Sequence, residues 1–320
     1  MTGGTYRMDC TALREEIRTY LGLAPPGSPP AFQVLEEEEC EGYSRFLISY
    51  GGSEGDEIPA YLLLPQGSGP FPGVLIHHQH NGERHLGKSE VVGLAGDFLQ
   101  AFGPALAQRG FAVLAPDSIC FEDRRPNRQG TVPDGDNDFF QHYNEMCYRL
   151  LRGSTLMKKV LDDANIGFNL LKNHPLVDEA RIGVLGHSYG GNTAIFQMAL
   201  NTELAFGCAS GAACTYGQKM RAGTGLEMAL VIPGFSARYE LTDLVKCAAP
   251  RPFLLVSATE DKYSLDAHII EAEARKTYAQ LGAADRLVHH RYGGGHALTE
   301  ERFWNIISWL VDTARGPTSP

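Results

Sequence analysis

The chain has 320 residues, 43% of them hydrophobic and 21% charged, a globular balance that excludes a disordered or low-complexity protein. Its formal net charge of −10 repels phosphate backbones and anionic headgroups, so neither nucleic acid nor a membrane surface is an expected partner. The best candidate for a membrane span, Val91 to Ala107, is broken by Asp97 and Gln100 and falls short of the roughly 18 unbroken apolar residues required.

The opening stretch, MTGGTYRMDCTALREE, lacks the basic start and apolar run of a secretory signal. A short helix is predicted over Cys10–Leu21, then a stiff connector, APPGSPP, over Ala24–Pro30. The acidic run Glu36–Glu39 reads as a solvated face. Phe46–Tyr50 and Ile58–Leu64 are expected strands joined by a glycine-rich turn. Gly73–His78 is a short apolar run typical of a buried strand, Phe98–Gln108 has helical spacing, and Phe111–Pro116 is again a buried strand. Thr155–Lys172 is a long amphipathic helix. Arg181–Gly186 is a strand and Tyr189–Leu200 a helix. Ala205–Ser210 and Pro252–Ser257 are strands, with a helix over Asp266–Gln280, a strand over Leu287–Tyr292 and a last helix over Glu301–Ala314.

Apolar strands each followed by a helix imply a parallel sheet covered on both faces, and the two early strands add an antiparallel edge, giving a doubly wound α/β architecture. The expected organisation is an N-terminal helix and connector, residues 1–45, packed on one α/β domain, 46–320. Two long stretches interrupt the alternation, 117–153 and 214–245. Both follow the C-terminal ends of predicted strands, where open α/β sheets keep their ligand crevice, and segments of that length usually do something. They are expected to roof a pocket. Seven scattered cysteines, odd in number and without a CxxC pair, fit free thiols in a reducing compartment, hence the cytoplasm.

The pattern G-x-S-x-G occurs twice. Gly51 to Gly55 places Ser53 in a polar hairpin, where it reads as a turn residue. Gly186-His187-Ser188-Tyr189-Gly190 instead has a strand before the serine and a helix after it, which is the context a nucleophile elbow needs. The turn is so sharp that side chains two residues either side would collide, hence glycine at both places. Ser188 is therefore the expected nucleophile. The backbone N–H of Tyr189, at a helix N-terminus, is an expected oxyanion donor.

A serine hydroxyl needs a base, and in this arrangement the acid and the histidine follow the serine in that order. Asp261 comes just after the strand Pro252–Ser257, and His296 just after Leu287–Tyr292 behind three glycines. They are the expected orienting acid and base. Glu260 is a competing acid, Asp266 is expected to open the next helix, His289 and His290 lie within a strand pattern, and His268 lies on a helix surface. The sequence His77-His78-Gln79-His80, with His85 beyond, invites a metal reading. It has no H-x-x-x-H signature, and neighbouring strand residues point to opposite faces. The loop after this strand more often supplies a second oxyanion N–H, here Gln79 or His80. Arg124, Arg125 and Arg128 are candidates for an anionic substrate group or, more simply, exposed arginines.

These residues resemble the α/β-hydrolase superfamily, and within it the dienelactone hydrolase-like and acetyl xylan esterase-like branch. The resemblance rests on IHHQHNG, RGFAVLAPD, GHSYGG, AAPRPFLLVSATED and GGGHAL, from about Ile58 to the C-terminus. It implies the α/β-hydrolase fold with cap-like insertions and a Ser188–Asp261–His296 triad. It also implies hydrolysis of small-molecule carboxylic esters or lactones through an acyl-enzyme, with no cofactor and no metal. Two departures stand out. Dienelactone hydrolases carry cysteine where this chain has Ser188, and the 117–153 insertion is longer than a minimal member needs. Rival expectations are an amidase or peptidase with the same triad, a non-catalytic ligand-binding protein of this fold, and a metal-dependent hydrolase using the clustered histidines. The sequence leaves substrate-binding residues and homo-oligomerisation open.

Overall fold

The computed structural model of the chain describes residues 9–25, 27–28 and 30–316. The first eight residues of the opening stretch, and Pro26 and Pro29 of the connector, lie outside the described residues.

One sheet of nine strands has the order β1-β2-β3-β5-β4-β6-β7-β8-β9. β1 (Phe32–Cys40), β2 (Tyr43–Gly51) and β3 (Glu57–Pro65) form an antiparallel edge, and β3 pairs antiparallel with β5 (Ala112–Pro116). β4 (Phe71–His77), β6 (Val177–His187), β7 (Phe206–Ser210), β8 (Phe253–Ala258) and β9 (Leu287–Tyr292) run parallel to β5. The antiparallel edge thus has three strands where the sequence pattern predicts two. The extra strand holds the acidic run Glu36–Glu39, solvated as expected. Residues 32–39 of β1 are exposed on both faces, so it carries no apolar alternation to read. Its charges also discourage pairing with a further chain.

Ten α-helices are formed by described residues: α1 (Cys10–Leu21), α2 (Lys88–Val91), α3 (Phe102–Ala107), α4 (Asp136–Leu151), α5 (Leu156–Lys172), α6 (Tyr189–Leu200), α7 (Tyr216–Ala222), α8 (Leu241–Ala248), α9 (Ala267–Gln280) and α10 (Glu300–Arg315). The sheet separates two apolar layers. Leu75, Leu114 and Val184 pack with Phe168, Leu171, Ile195 and Phe196 of α5 and α6. Their strand neighbours Val74, Val113 and Leu185 point the other way, onto Phe102, Phe303, Ile306 and Leu310 of α3 and α10. This alternation is the physical basis of the continuous apolar strand pattern. α6 is buried on all sides, because it lies on the sheet and is covered in turn by other helices.

The two insertions are not loops throughout: 117–153 contains α4, and 214–245 contains α7 and the start of α8. A buried ionic cluster ties the first insertion to the segment after β4. Lys88 Nζ, 1% exposed, donates to Asp117 Oδ2 at 2.9 Å, to Asp123 Oδ2 at 2.5 Å and to Glu122. Ser89 N–H and Oγ–H also donate to Glu122. Gly87 makes room for this, since a Cβ there would sit 2.3 Å from Asp117 Oδ1. Removing one member of a buried ion pair typically costs about 3–5 kcal/mol, because its partners stay buried without compensation. Lys88→Met is expected to lower unfolding free energy by that order in urea titrations. A loss below about 1 kcal/mol, the scale of an exposed pair, would contradict the role assigned to the cluster.

Candidate active site

β6 delivers the chain into a turn that only particular residues can make. Ser188 has φ 56° and ψ −116°, a conformation costly for a non-glycine residue and held only where its surroundings over-determine it. A Cβ at Gly186 would lie 2.1 Å from Gly190 O, and one at Gly190 would lie 2.0 Å from His77 O. Both glycines are therefore required by close backbone approach. Ser188 N–H is anchored on Ser210 O at 2.8 Å, so β7 also helps to hold the turn. Ser53, the other G-x-S-x-G serine, lies in the turn between β2 and β3 and donates to Asp163 at 2.8 Å.

Ser188 Oγ–H donates to His296 Nε2 at 2.8 Å, and His296 Nδ1–H donates to Asp261 Oδ1 at 3.0 Å. Three side chains far apart in the chain thus form one continuous hydrogen-bonded line. Asp261 is buried, whereas Glu260 is exposed. Burial works against the charge on Asp261. The hydrogen bonds from His296, from Ser264 Oγ (2.6 Å) and from Tyr263 N–H (2.9 Å) outweigh it and hold the carboxyl below its ordinary range. Asp266 opens α9 as expected, but its carboxylate reaches across to Thr215 N–H and Oγ–H, anchoring α7.

Several groups that place His296 give no signal in the sequence. Thr259 N–H donates to Tyr292 O and Glu260 N–H to Gly294 O, joining the loops after β8 and β9. Arg302, in the first turn of α10, donates to Gly293 O (2.5 Å), Gly295 O (2.8 Å) and Ala297 O (2.9 Å), a clamp around the histidine loop. The His187 ring stacks on His296 at 4.9 Å between centroids, and Tyr263 meets it edge-on at 4.8 Å. His187 Nδ1 pairs with Ser210 Oγ at 2.9 Å.

Tyr189 N–H is the first of α6, and its side chain is turned away to pair with Ser118 Oγ at 2.8 Å. The contact of Gly190 with the His77 and His78 carbonyls brings the segment after β4 against the elbow. There the backbone N–H groups of Gln79 and His80 have no acceptor among the described residues. The Gln79 side chain points to Glu90 (3.3 Å). His80 accepts from Gly82 N–H and donates through Nε2 to Glu227 of the second insertion at 2.5 Å. Both insertions therefore reach the elbow: one through Ser118, the other through Glu227.

Several of the other histidines join elements by hydrogen bonds. His77 donates to Gln197 Oε1 of α6 at 2.7 Å. His78 donates to Gln79 O and accepts from Ser118 N–H at 3.0 Å. His289 pairs with Ser257 Oγ at 2.7 Å, His268 is exposed on α9, and His85 lies 3.9 Å from Asp138. Among the described residues, three potential metal ligands converge at Asp117, Glu122 and Asp123, and Lys88 Nζ donates to all three. Arg124 and Arg125 are not the exposed arginines expected. Arg124 is held by Asp56 (2.5 Å) and Asp163 (2.7 Å), and Arg125 is buried against Asp138 and the carbonyls of Gly130 and Val132. Arg128 is exposed.

With this geometry in view, comparison with known proteins is informative. The family model described as "Dienelactone hydrolase family" matches residues 58–227. A protein of Bacillus subtilis (strain 168) named as a hydrolase, YtaP, is 27% identical over 293 residues, 88% of this chain and 92% of its own. A solved structure named as an acetyl xylan esterase of Bacteroides fragilis NCTC 9343 has a TM-score of 0.71 at 19% identity, covering 88% of this chain and 74% of its own. One named as a glucuronoyl esterase from Solibacter usitatus has a TM-score of 0.66 at 15% identity, covering 99% and 96%. At such identities the solved structures speak for the fold, which is that of α/β-hydrolases. No helix among the described residues is long and apolar enough to cross a membrane.

Burial holds His77 down at about 4 and His78 and His187 at about 3, so all three stay neutral in the folded chain. Unfolded, each takes a proton below about 6.5. Their contribution to stability is complete above that pH and falls on acidification toward 4, by up to about 1.4 kcal/mol per pH unit for each ring. Urea midpoints are expected to drop clearly between pH 7.5 and pH 5. An unchanged midpoint would contradict neutral burial.

Proposed function

The chain belongs to the dienelactone hydrolase family, and from that premise we propose that it hydrolyses a carboxylic ester or lactone through an acyl-enzyme on Ser188. The observation that carries the reading is the line of hydrogen bonds from Ser188 through His296 to Asp261. As the serine attacks the carbonyl carbon, His296 Nε2 takes its proton, and Asp261 keeps the Nδ1–H tautomer and stabilises the imidazolium. The tetrahedral oxyanion takes hydrogen bonds from Tyr189 N–H and from an N–H at Gln79 or His80, where a donor is worth roughly 10²–10³ in rate. His296 then returns its proton to the leaving alcohol. Water, deprotonated by the same imidazole, releases the acid. No cofactor takes part in these steps.

The ester reading over an amide is supported by the names of the structural neighbours, both esterases. Seven unpaired cysteines support a cytoplasmic location.

Ser188→Ala is expected to remove at least about 10⁴-fold of the turnover of a small activated acetate ester, and unchanged turnover would sink the mechanism. Covalent labelling of Ser188 by a fluorophosphonate separates a catalyst from a ligand-binding relative, and rates on matched ester and amide substrates separate an esterase from an amidase. Asp261→Asn is expected to lower kcat by about 10⁴ through the wrong tautomer, with KM little changed. Arg302→Gln, which opens the clamp on the histidine loop, is expected to cost about 10²-fold in kcat, the scale of a small misplacement of a reacting group. Wild-type rates in either variant would remove that residue from the scheme.

A further inference from the structure

The catalytic scheme leaves a pair of thiols unused, on the far side of α6 from the sheet. Cys10 opens α1 and Cys247 lies in the last turn of α8. Cys10 Sγ is 3.6 Å from Lys246 O, and Cys247 Sγ is 3.9 Å from Cys10 O. Each thiol thus sits on the backbone beside the other: Cys247 Sγ on the carbonyl of Cys10 itself, and Cys10 Sγ on the carbonyl just before Cys247. Arg14, one turn further along α1, fixes this junction by donating to Cys247 O and Ala199 O, both at 2.9 Å.

The two sulfurs differ in the way that an attacking and a resolving thiol differ. Cys10 is half-buried and borders a groove of about 560 Å³ formed with Arg14, Pro250, Thr277 and Leu281. Its thiol is drawn down to about 7, first by the neighbouring Cys247 thiol and then, against burial, by Arg14 and Lys246. Cys247 is fully buried, and the neighbouring Cys10 together with burial pushes its thiol up. By contrast, burial pushes Cys120 and Cys214 up to about 12, with no such partner.

We propose that Cys10 and Cys247 are a peroxide-responsive thiol pair that closes to a reversible disulfide and fastens α1 to α8. The Cys10 thiolate attacks a peroxide oxygen. A sulfur–oxygen bond forms, the oxygen–oxygen bond breaks, and hydroxide leaves, giving a sulfenic acid. The Cys247 sulfur then attacks the Cys10 sulfur. The disulfide forms, the sulfur–oxygen bond breaks, and the oxygen departs as water with the Cys247 proton. Overall, two thiols and one hydrogen peroxide give one disulfide and two waters. A cellular dithiol reverses the step by exchange. The site of fastening matters because α1 also carries the second insertion. Tyr20 Oη–H donates to Pro233 O at 2.7 Å, and Glu16 accepts from Tyr239 Oη–H at 2.6 Å.

The test treats the full-length protein with hydrogen peroxide at neutral pH, blocks remaining thiols, digests without reduction and identifies the peptides by mass spectrometry. A Cys10–Cys247 peptide two hydrogens lighter than its parts, lost again on adding dithiothreitol, is expected. So are a higher melting temperature for the oxidised form and alkylation of Cys10 several-fold faster than of Cys40 or Cys147. Cys247→Ala is expected to leave Cys10 as a sulfenic acid trapped by dimedone. Wild-type protein in which Cys10 is oxidised to sulfinic acid without forming the crosslink, or in which Cys10 stays reduced while other cysteines react, would overturn the proposal.

Discussion

A single backbone constraint organises this molecule: a serine held at positive φ between β6 and α6, with no room for a side chain two residues before or after it. The closest approach there is backbone to backbone, Gly190 against the His77 carbonyl. It does more than expose a hydroxyl. It brings β4, β6 and the first turn of α6 into one point of contact, so the segment after β4 lies against the elbow. The strain at Ser188 persists because Ser210 O, the His77 carbonyl and the fully buried α6 leave the chain nowhere else to go.

Around that point polar ties are added to apolar packing such as that of Phe121 on Tyr189. The rim of a parallel sheet is where strands end, and the loops there are also tied to one another. Arg302 gathers three carbonyls of the histidine loop, two backbone bonds join it to the loop of Asp261, and the Lys88 cluster fixes the start of the first insertion to the segment after β4. Buried hydrogen-bonded networks of this kind are costly to break, since each partner left behind keeps its full desolvation penalty. They add less net stability than an apolar core of equal volume. What they supply is a fixed geometry at the rim.

The imidazoles divide along the same line. His77, His78 and His187 are brackets whose nitrogens are used to join elements, and burial keeps them neutral near pH 7. His296 is partly exposed and faces a hydroxyl on one side and an ionised carboxylate on the other. One residue type thus serves as a buried bracket or as a partly exposed link between a hydroxyl and a carboxylate, and the surroundings decide which.

The amino-acid sequence by itself determined the alternation of strands and helices, the elbow at Ser188, and the positions of Asp261 and His296 at later strand ends. Each of these is a local pattern: apolar runs of strand length, glycines forced by a tight turn, a residue type next to a strand terminus. Even α1 and α6 were readable to the residue. The tertiary structure alone decided the exposed strand β1, the α4 and α7 helices of the insertions, the fate of Arg124 and Arg125, and the parts played by Arg302, Glu227, His187 and Ser264. Those depend on contacts between residues tens to hundreds of positions apart, or on surfaces with no buried face. An arginine looks the same in sequence whether it will be solvated or closed on three carbonyls, because its partners are backbone atoms that every residue possesses, and only the folded path of the chain brings them together.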